Sequence, residues 1–417
     1  MADSYVILGD GVAGSSAAGT IREEAPEAEI TVVTDEGEPF YNRILTKEFA
    51  KGKLPEAPVA IHEEGWYEDR DIDLRLNTFV TDVDTDAGAV HTHGGDVLEY
   101  DKLLVATGGT PLQLPVANAD ADGINHFWTF QDARGIVEDA EDSDSAVIIG
   151  AGLLGIDFVG VCGVRGIDAK LIMRGKGWWR YACTETGAEI IHEGMRDMGI
   201  EPITESGVDH FEVDDDGHVT GAVDVDGEFH EADWVGVGIG LNFNTEFLQD
   251  TPVETDGGVI VDEHMRTNLE DVYAAGDITR YYDVLLEDRN QNGSWGSAKE
   301  QGNTAALNMV NGHGSDTFEY VPSYSITHFD FPFLSLGHPT RGSDGPVTQG
   351  DPHGYERKYG EREWRRVAFE DGRLVGAALI GDLSPQTKLK QLIREGRQIE
   401  DQAEVLLEQD IDLDKLE

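Results

Sequence analysis

Short apolar runs that end in glycine recur along this chain. Residues 5–8 (YVIL) lead into GDGVAG at 9–14, and residues 146–149 (AVII) lead into GAGLLG at 150–155. Each run predicts a buried strand, Tyr5–Leu8 and Ala146–Ile149, and each glycine stretch predicts a turn. Small and apolar residues then predict helices, Ser15–Glu24 in the first unit and a helix through Val164 in the second. A second strand follows each helix, Ile30–Val33 and Ala169–Met173. The β-α-β pattern therefore occurs twice, about 140 residues apart. Two more apolar strands stand outside these units, DKLLVATGG at 101–109 and VYAAG just before Asp277. Residues 208–235 alternate apolar and polar between DDDGH and VDGE turns, which predicts a small antiparallel meander. A helical pattern covers 296–312, and 112–145 reads as a polar, acidic connection. From about 320 the texture changes to short strands, including 364–369 and 373–381. A turn-rich stretch at 338–355 and a polar helix near 386–396 complete what reads as a separate C-terminal domain. The tail at 400–417 reads as a solvated helix or a frayed end.

The repeated glycine pattern carries chemistry. In G-x-G-x-x-G the first glycine permits the tight turn, the second lets backbone approach a pyrophosphate, and the third lets helix pack on strand. Gly9, Gly11 and Gly14 fill these places first, and Gly150, Gly152 and Gly155 fill them again. The helix that follows turns its N-terminus toward the phosphates. Asp35, about 20 residues past Gly14, lies where an acid accepts hydrogen bonds from an adenosine ribose.

Composition narrows the class. At 417 residues the chain suits two or three domains. No apolar run approaches the roughly 20 residues of a membrane helix. The N-terminal apolar stretch is itself the first fingerprint, so it reads as mature structure, and a cytoplasmic location is expected. The formal charge is −51, from 82 acidic and 31 basic residues. Such a charge repels nucleic acid and anionic lipid. A docking patch for a basic partner would concentrate the acids, whereas here they are spread from end to end. That spread suits a halophilic surface, because molar salt screens charge within about 3 Å. Cys162 and Cys183 form no C-x-x-C pair, and too few ligands exist for zinc or an iron–sulfur cluster, so no metal is expected.

Two fingerprints, the ATGG strand between them and the late VYAAGD together resemble the two-dinucleotide-binding flavoprotein oxidoreductases over nearly the whole chain. The resemblance implies an α/β fold with two Rossmann-like dinucleotide-binding domains and a C-terminal α+β interface domain. Residues 1–112 with 244–319 would bind FAD, 113–243 would bind NAD(P), and 320–417 would form the interface or dimerisation domain, making a homodimer expected. It further implies that Gly9, Gly11, Gly14 and Asp35 hold the ADP half of FAD, with Ala106, Thr107 and Gly108 beside them. Gly276 and Asp277 would take the ribityl chain, while Gly150, Gly152 and Gly155 would take the nicotinamide nucleotide. The segment PFYNRILTKEFAKGKL at 39–54 resembles ferredoxin and rubredoxin reductases and the flavin half of nitrite reductases. Arg43 and Lys47 match that segment, and in relatives the lysine lies against the flavin N5 edge, where a cation stabilises the reduced ring. Trp295, Gln301 and Gly302 match a W-x-x-A-x-x-Q-G pattern near the flavin. Asp157 stands where relatives usually carry glutamate near the nicotinamide.

Departures from the family sharpen the expectation. The redox cysteines of disulfide reductases and peroxidases have no counterpart near 41–44, so Cys162 and Cys183 read as structural. NAD-preferring relatives end the second fold's second strand in an acid, but Arg174, Lys176 and Arg180 stand in that region here. These cations suit the 2′-phosphate of NADPH; alternatively they balance an acidic surface. The expected activity is hydride transfer from NAD(P)H to FAD and electron delivery to a small protein such as a ferredoxin or rubredoxin, without a cysteine relay. Phe329, Phe331 and Phe333 alternate and offer either an aromatic docking face or a core strand. Two other readings stay open: direct reduction of a small acceptor such as a quinone, oxygen or a dye, and a nucleotide-responsive structural or signalling flavoprotein.

Overall fold

The computed structural model describes residues 3–179, 182–339 and 353–416. Its longer helices are α1 (Val12–Glu24), α2 (Arg43–Ala50), α3 (Phe130–Glu141), α4 (Leu153–Arg165), α5 (Glu185–Asp197), α6 (Trp295–Asn311) and α7 (Gln386–Glu395). None of the described helices is long and apolar enough to cross a membrane. The chain divides into two compact units, Met1–Asn42 with Val59–Thr110 and Asn242–Pro322, and Arg43–Pro58 with Pro111–Leu241 and Ser323–Glu417.

The first unit is built on a parallel sheet with strand order Val272–Ala274, Lys102–Val105, Ser4–Leu8, Glu29–Val33, Ile72–Arg75. Parallel strands are covered on both faces, which is why YVIL and KLLV are continuous apolar runs. Alanines let α1 and α6 approach closely: Ala13, Ala17 and Ala18 on one, Ala298, Ala305 and Ala306 on the other, are all buried. A three-stranded antiparallel sheet (Val80–Asp84, Ala89–Thr92, Val97–Glu99) is attached.

The second unit repeats this plan. Its parallel sheet runs Ile200–Ile203, Asp168–Ile172, Ser145–Ile149, Trp234–Val237, Ile124–Asn125. The meander expected at 208–235 is present as Val208–Val213, Val219–Asp224 and Phe229–Glu231. The same unit holds a five-stranded antiparallel sheet, Ser323–Ile326, Phe333–Gly337, Arg373–Ile380, Glu363–Glu370, Gly354–Gly360, and α7.

Three expectations are corrected, and one open pair of readings is decided. The 112–145 connection contains α3, whose Thr129 and Asp132 form a reciprocal capping box. Phe130, Ala133, Ile136 and Ala140 form its buried stripe, which the acids between them obscure in the sequence. The first fingerprint helix starts at Val12 rather than Ser15, because Gly11 already serves as its N-cap. Of the two readings of Phe329, Phe331 and Phe333, the core one holds. All are buried; the first two stack at 5.2 Å, and Phe333 lies edge-on to Trp178 at 5.1 Å. The described tail is neither solvated nor frayed: Ala403, Leu406, Leu407, Ile411 and Leu416 are buried. Buried Arg365 donates to the carbonyls of Leu406 and Glu408 at 2.8 and 2.7 Å, which ties the tail down.

Candidate functional site

Each unit carries one glycine cradle, and the two match closely. Gly9 and Gly150 both have φ +107°, a conformation that glycine enters freely and other residues rarely adopt. A Cβ on Gly9 would lie 2.3 Å from the Ala106 carbonyl oxygen, and one on Gly150 would lie 2.3 Å from that of Gly238. The third glycines are equally confined: Cβ atoms on Gly14 and Gly155 would stand 2.0 and 1.8 Å from the oxygens of Gly9 and Gly150. The middle glycines are the reverse, since a Cβ on Gly11 or Gly152 would meet nothing within 4 Å. Both are helix N-caps without a side-chain hydrogen bond, and neither α1 nor α4 has an acid in its first turn. By contrast Thr129, Thr184 and Ser294 cap α3, α5 and α6. Open space in front of uncapped helix N–H groups fits a bound anion. These residues therefore fit the pyrophosphate of a dinucleotide in both units.

Around the first cradle, Ala106 is buried at the end of its strand, Thr107 is exposed, and Gly108 has φ +63°. Asp35 is exposed just past Glu29–Val33. Asp277 follows Gly276, whose N–H donates to the Gln301 side-chain oxygen at 2.8 Å. Thr279 donates to the same oxygen at 2.8 Å, and Gln301 donates to Ser297 at 3.1 Å. Gln301 is thus a fully buried clamp on the Asp277 loop, which gives its place in the sequence pattern a physical reason. Trp295 stacks on Phe40 at 5.6 Å.

Asp10 was not expected. It sits between the first two glycines, buried, and accepts from the Tyr67 hydroxyl at 2.7 Å and the Phe40 N–H at 2.9 Å. Burial pushes its carboxyl up to about 7, against those two hydrogen bonds and with help from Glu36. An anion bound at this loop favours the neutral acid, so binding takes up a proton. Dinucleotide affinity at this cradle is therefore expected to rise about tenfold, one unit of coupling, as pH falls through about 7. Asp10→Asn should flatten that profile, which titration of the apoprotein with FAD between pH 6 and 8.5 will read.

In the second unit, α2 presents Lys47 and Glu48, and Lys51 follows its last residue one turn beyond Lys47, its N–H donating to the Lys47 carbonyl at 3.1 Å. Contacts with α3 and α4 hold α2 in place. Phe49 meets Phe130 of α3 edge-on at 5.4 Å, and Arg165 of α4 donates to the Ala50 carbonyl at 2.8 Å. The Lys47 ammonium then lies 2.6 Å from Asp157 Oδ2 in α4. Asp157 is 4% exposed. Burial alone would raise its carboxyl, but the Lys47 charge and the hydrogen bond from His328 outweigh it and hold the group below the ordinary range. His328 Nε2 is 3.2 Å from Asp157 Oδ1, and His328 Nδ1 is 3.1 Å from the Lys51 ammonium. Lys51 also pairs with Glu48 at 2.6 Å. Sequence reading placed Lys47 and Asp157 but missed His328 and Lys51. Nothing local marks His328, which the fold brings from the 327–332 turn, 171 positions beyond Asp157. Arg43 donates to the Trp128 carbonyl at 2.5 Å, with its guanidinium 5.1 Å from that ring.

Arg174 and Lys176 are exposed just past Asp168–Ile172, with Lys176 3.4 Å from Glu185. Arg180 lies outside the described residues. Cys162 and Cys183 are both buried and unpaired by disulfide, and burial pushes both thiols up, Cys162 to about 12. Neither has the lowered value of a reactive thiolate. Among the described residues no cluster of histidine, cysteine and acids could hold a metal ion.

Comparison with known proteins agrees with this geometry. Residues 3–302 match the pyridine nucleotide-disulphide oxidoreductase family, and residues 322–397 match the rubredoxin NAD+ reductase C-terminal domain. A nitrite reductase [NAD(P)H] of Bacillus subtilis is 26% identical over 96% of the chain, which spans only 48% of that larger protein. An NADH-rubredoxin oxidoreductase of Clostridium acetobutylicum is 26% identical, with 93% of each chain covered. The crystal structure of the covalent putidaredoxin reductase–putidaredoxin complex shares the fold, with a TM-score of 0.88 at 24% identity over 96% of this chain and 95% of that one. The chain belongs to the pyridine nucleotide-disulphide oxidoreductase family, with the fold of its two-dinucleotide-binding flavoprotein reductases.

Proposed function

We propose that this chain is an FAD-dependent NAD(P)H oxidoreductase, with NADPH favoured, that delivers electrons singly to a small ferredoxin- or rubredoxin-type protein without a cysteine relay. The observation that carries this reading is the pair of open, uncapped glycine cradles, one in each unit. When bound, the nicotinamide would supply electrons as hydride and the flavin would release them one at a time. Gly9, Gly11, Gly14, Asp35, Ala106, Thr107, Gly108, Gly276, Asp277 and Trp295 would hold FAD, and Gln301 would fix the Asp277 loop. Gly150, Gly152 and Gly155 would seat the nucleotide's pyrophosphate, and Arg174, Lys176 and Arg180 its 2′-phosphate. Lys47 would supply positive charge toward the reacting flavin edge, and Asp157 would orient Lys47 and bound nicotinamide. Arg43, fixed on Trp128, would steady the start of α2.

Three domains follow from this reading: 1–112 with 244–319 for FAD, 113–243 for NAD(P), and 320–417 as the interface domain of a homodimer. A cytoplasmic, high-salt setting fits the charge of −51. The buried cysteines support direct electron exit from the flavin. The full-length rubredoxin reductase relative and the C-terminal match at 322–397 support a small redox protein as acceptor. The test is NADPH oxidation in molar KCl with and without added rubredoxin or ferredoxin. Turnover that needs the protein acceptor supports the proposal, and equal turnover with dye, quinone or oxygen alone overturns the acceptor assignment. In the same assay Arg174→Ala should raise KM for NADPH about tenfold, one lost charge-assisted contact, and leave KM for NADH within twofold.

A further inference from the structure

His328 is the neutral member of a line of charges. Lys51 has only hydrogen atoms to offer, so a ring nitrogen 3.1 Å from its ammonium must accept. That ring nitrogen is Nδ1, which leaves the proton on Nε2, the atom 3.2 Å from Asp157 Oδ1. Lys51 therefore fixes the tautomer, and the tautomer directs a donor at the carboxylate that Lys47 holds from its other oxygen. The fold makes room for this arrangement. Gly160 is one helical turn past Asp157 on α4, and a Cβ there would stand 3.0 Å from the His328 ring and 3.0 Å from Lys51 Cε. The groups that face the ring are Asp157 from α4, and Lys47, Lys51 and Glu48 from α2 and its end. Burial and both lysines hold the ring below its ordinary value, and Asp157 opposes them.

We propose that His328, locked by Lys51 as the Nε2–H tautomer, is a positioning residue that fixes the Asp157 carboxylate and through it aims Lys47. This rests on the proposed reductase function for its kinetic consequence but not for its structural one. A carboxylate bridged on both oxygens cannot rotate, so its second oxygen stays on Lys47. Without His328, Asp157 is held at one oxygen only and Lys47 gains freedom.

Two experiments separate the structural and kinetic claims. First, 15N NMR of the ring in the intact holoprotein at pH 8 should show a neutral, Nε2-protonated His328, with protonation only below the ordinary histidine range. In Lys51→Met the ring's protonation midpoint should move to higher pH, since one of the two positive charges that oppose protonation is gone. An Nδ1–H tautomer in the native protein, or a protonation midpoint that Lys51→Met leaves in place, overturns the proposal. Second, anaerobic stopped-flow should show flavin reduction slowed roughly tenfold in His328→Leu, the scale of a lost supporting contact. KM for the nucleotide should move less than twofold. His328→Gln, whose amide both donates and accepts, should recover the rate to within about threefold. Gly160→Ala, which displaces the ring without removing a polar group, should show the same slow phase if His328→Leu does not fold. Fast reduction in all three variants overturns the positioning role. Absence of reduction in the native protein instead refutes the reductase reading and leaves the tautomer result standing.

Discussion

Gly152→Asp is expected to retain FAD at full occupancy and to lose reduction by NADPH and NADH alike. Gly152 has φ −104° and ψ −165°, extended backbone that any residue adopts, and its Cβ position is empty to 4 Å. The fold therefore accepts the change. An aspartate at this N-cap even satisfies helix N–H groups that the native loop leaves uncapped, so stability should be unchanged or higher by a few tenths of a kcal/mol. The same carboxylate takes the N–H groups from the nucleotide phosphates and repels them. One charge about 4 Å from another is worth about 4 kcal/mol near a protein surface, so KM should rise at least 100-fold. Gly11→Asp is the mirror experiment: its N-cap is also extended and also open, and its product should be a folded protein without flavin. Flavin absorbance of the two purified variants, with thermal melts beside it, separates the two cradles. Flavin loss in Gly152→Asp and retention in Gly11→Asp would exchange the two assignments.

Lys47→Met is expected to slow flavin reduction by about 10²–10³-fold, the scale for removing one preorganised electrostatic contact. Methionine keeps the length of the side chain and removes the charge. Asp157 then keeps only His328, and burial raises its carboxyl once the ammonium at 2.6 Å is gone. Breaking a buried pair leaves an uncompensated charge, but Lys47 is 36% exposed, so the stability loss should be about 2 kcal/mol rather than the larger values of sealed pairs. The double variant Lys47→Met with Asp157→Asn separates the two effects. It should recover most of the stability, since the orphaned charge is gone, and none of the rate. Recovery of the rate would show that the pair is only structural.

What the sequence revealed, and what it hid, follows one division. The parallel strands were legible because they are buried on both faces and read as unbroken apolar runs, YVIL and AVII above all. The cradles were legible because backbone geometry demands glycine, and a Cβ on Gly9, Gly14, Gly150 or Gly155 would strike backbone. Helix α3 was hidden because a surface this acidic places carboxylates between Phe130, Ala133, Ile136 and Ala140. The aromatic alternation at 329–333 left two readings open for a related reason: burial and docking call for the same residues, and only packing against Trp178 and Gly194 decides. The Lys47–Asp157 contact joins two segments that the sequence pattern marked separately, and His328 joins them from a third with no local mark at all. Asp10 was missed because its fingerprint position accepts any residue, and its burial under Tyr67 and Phe40 depends on segments about 30 to 60 residues away.

The measurement that tests the central claim is an anaerobic titration of the purified protein in molar KCl, first with NADPH and then with NADH, while flavin absorbance is followed. The account predicts rapid and complete bleaching at one equivalent of NADPH, and slower or weaker bleaching with NADH. A protein that holds flavin and is bleached by neither nucleotide would contradict it.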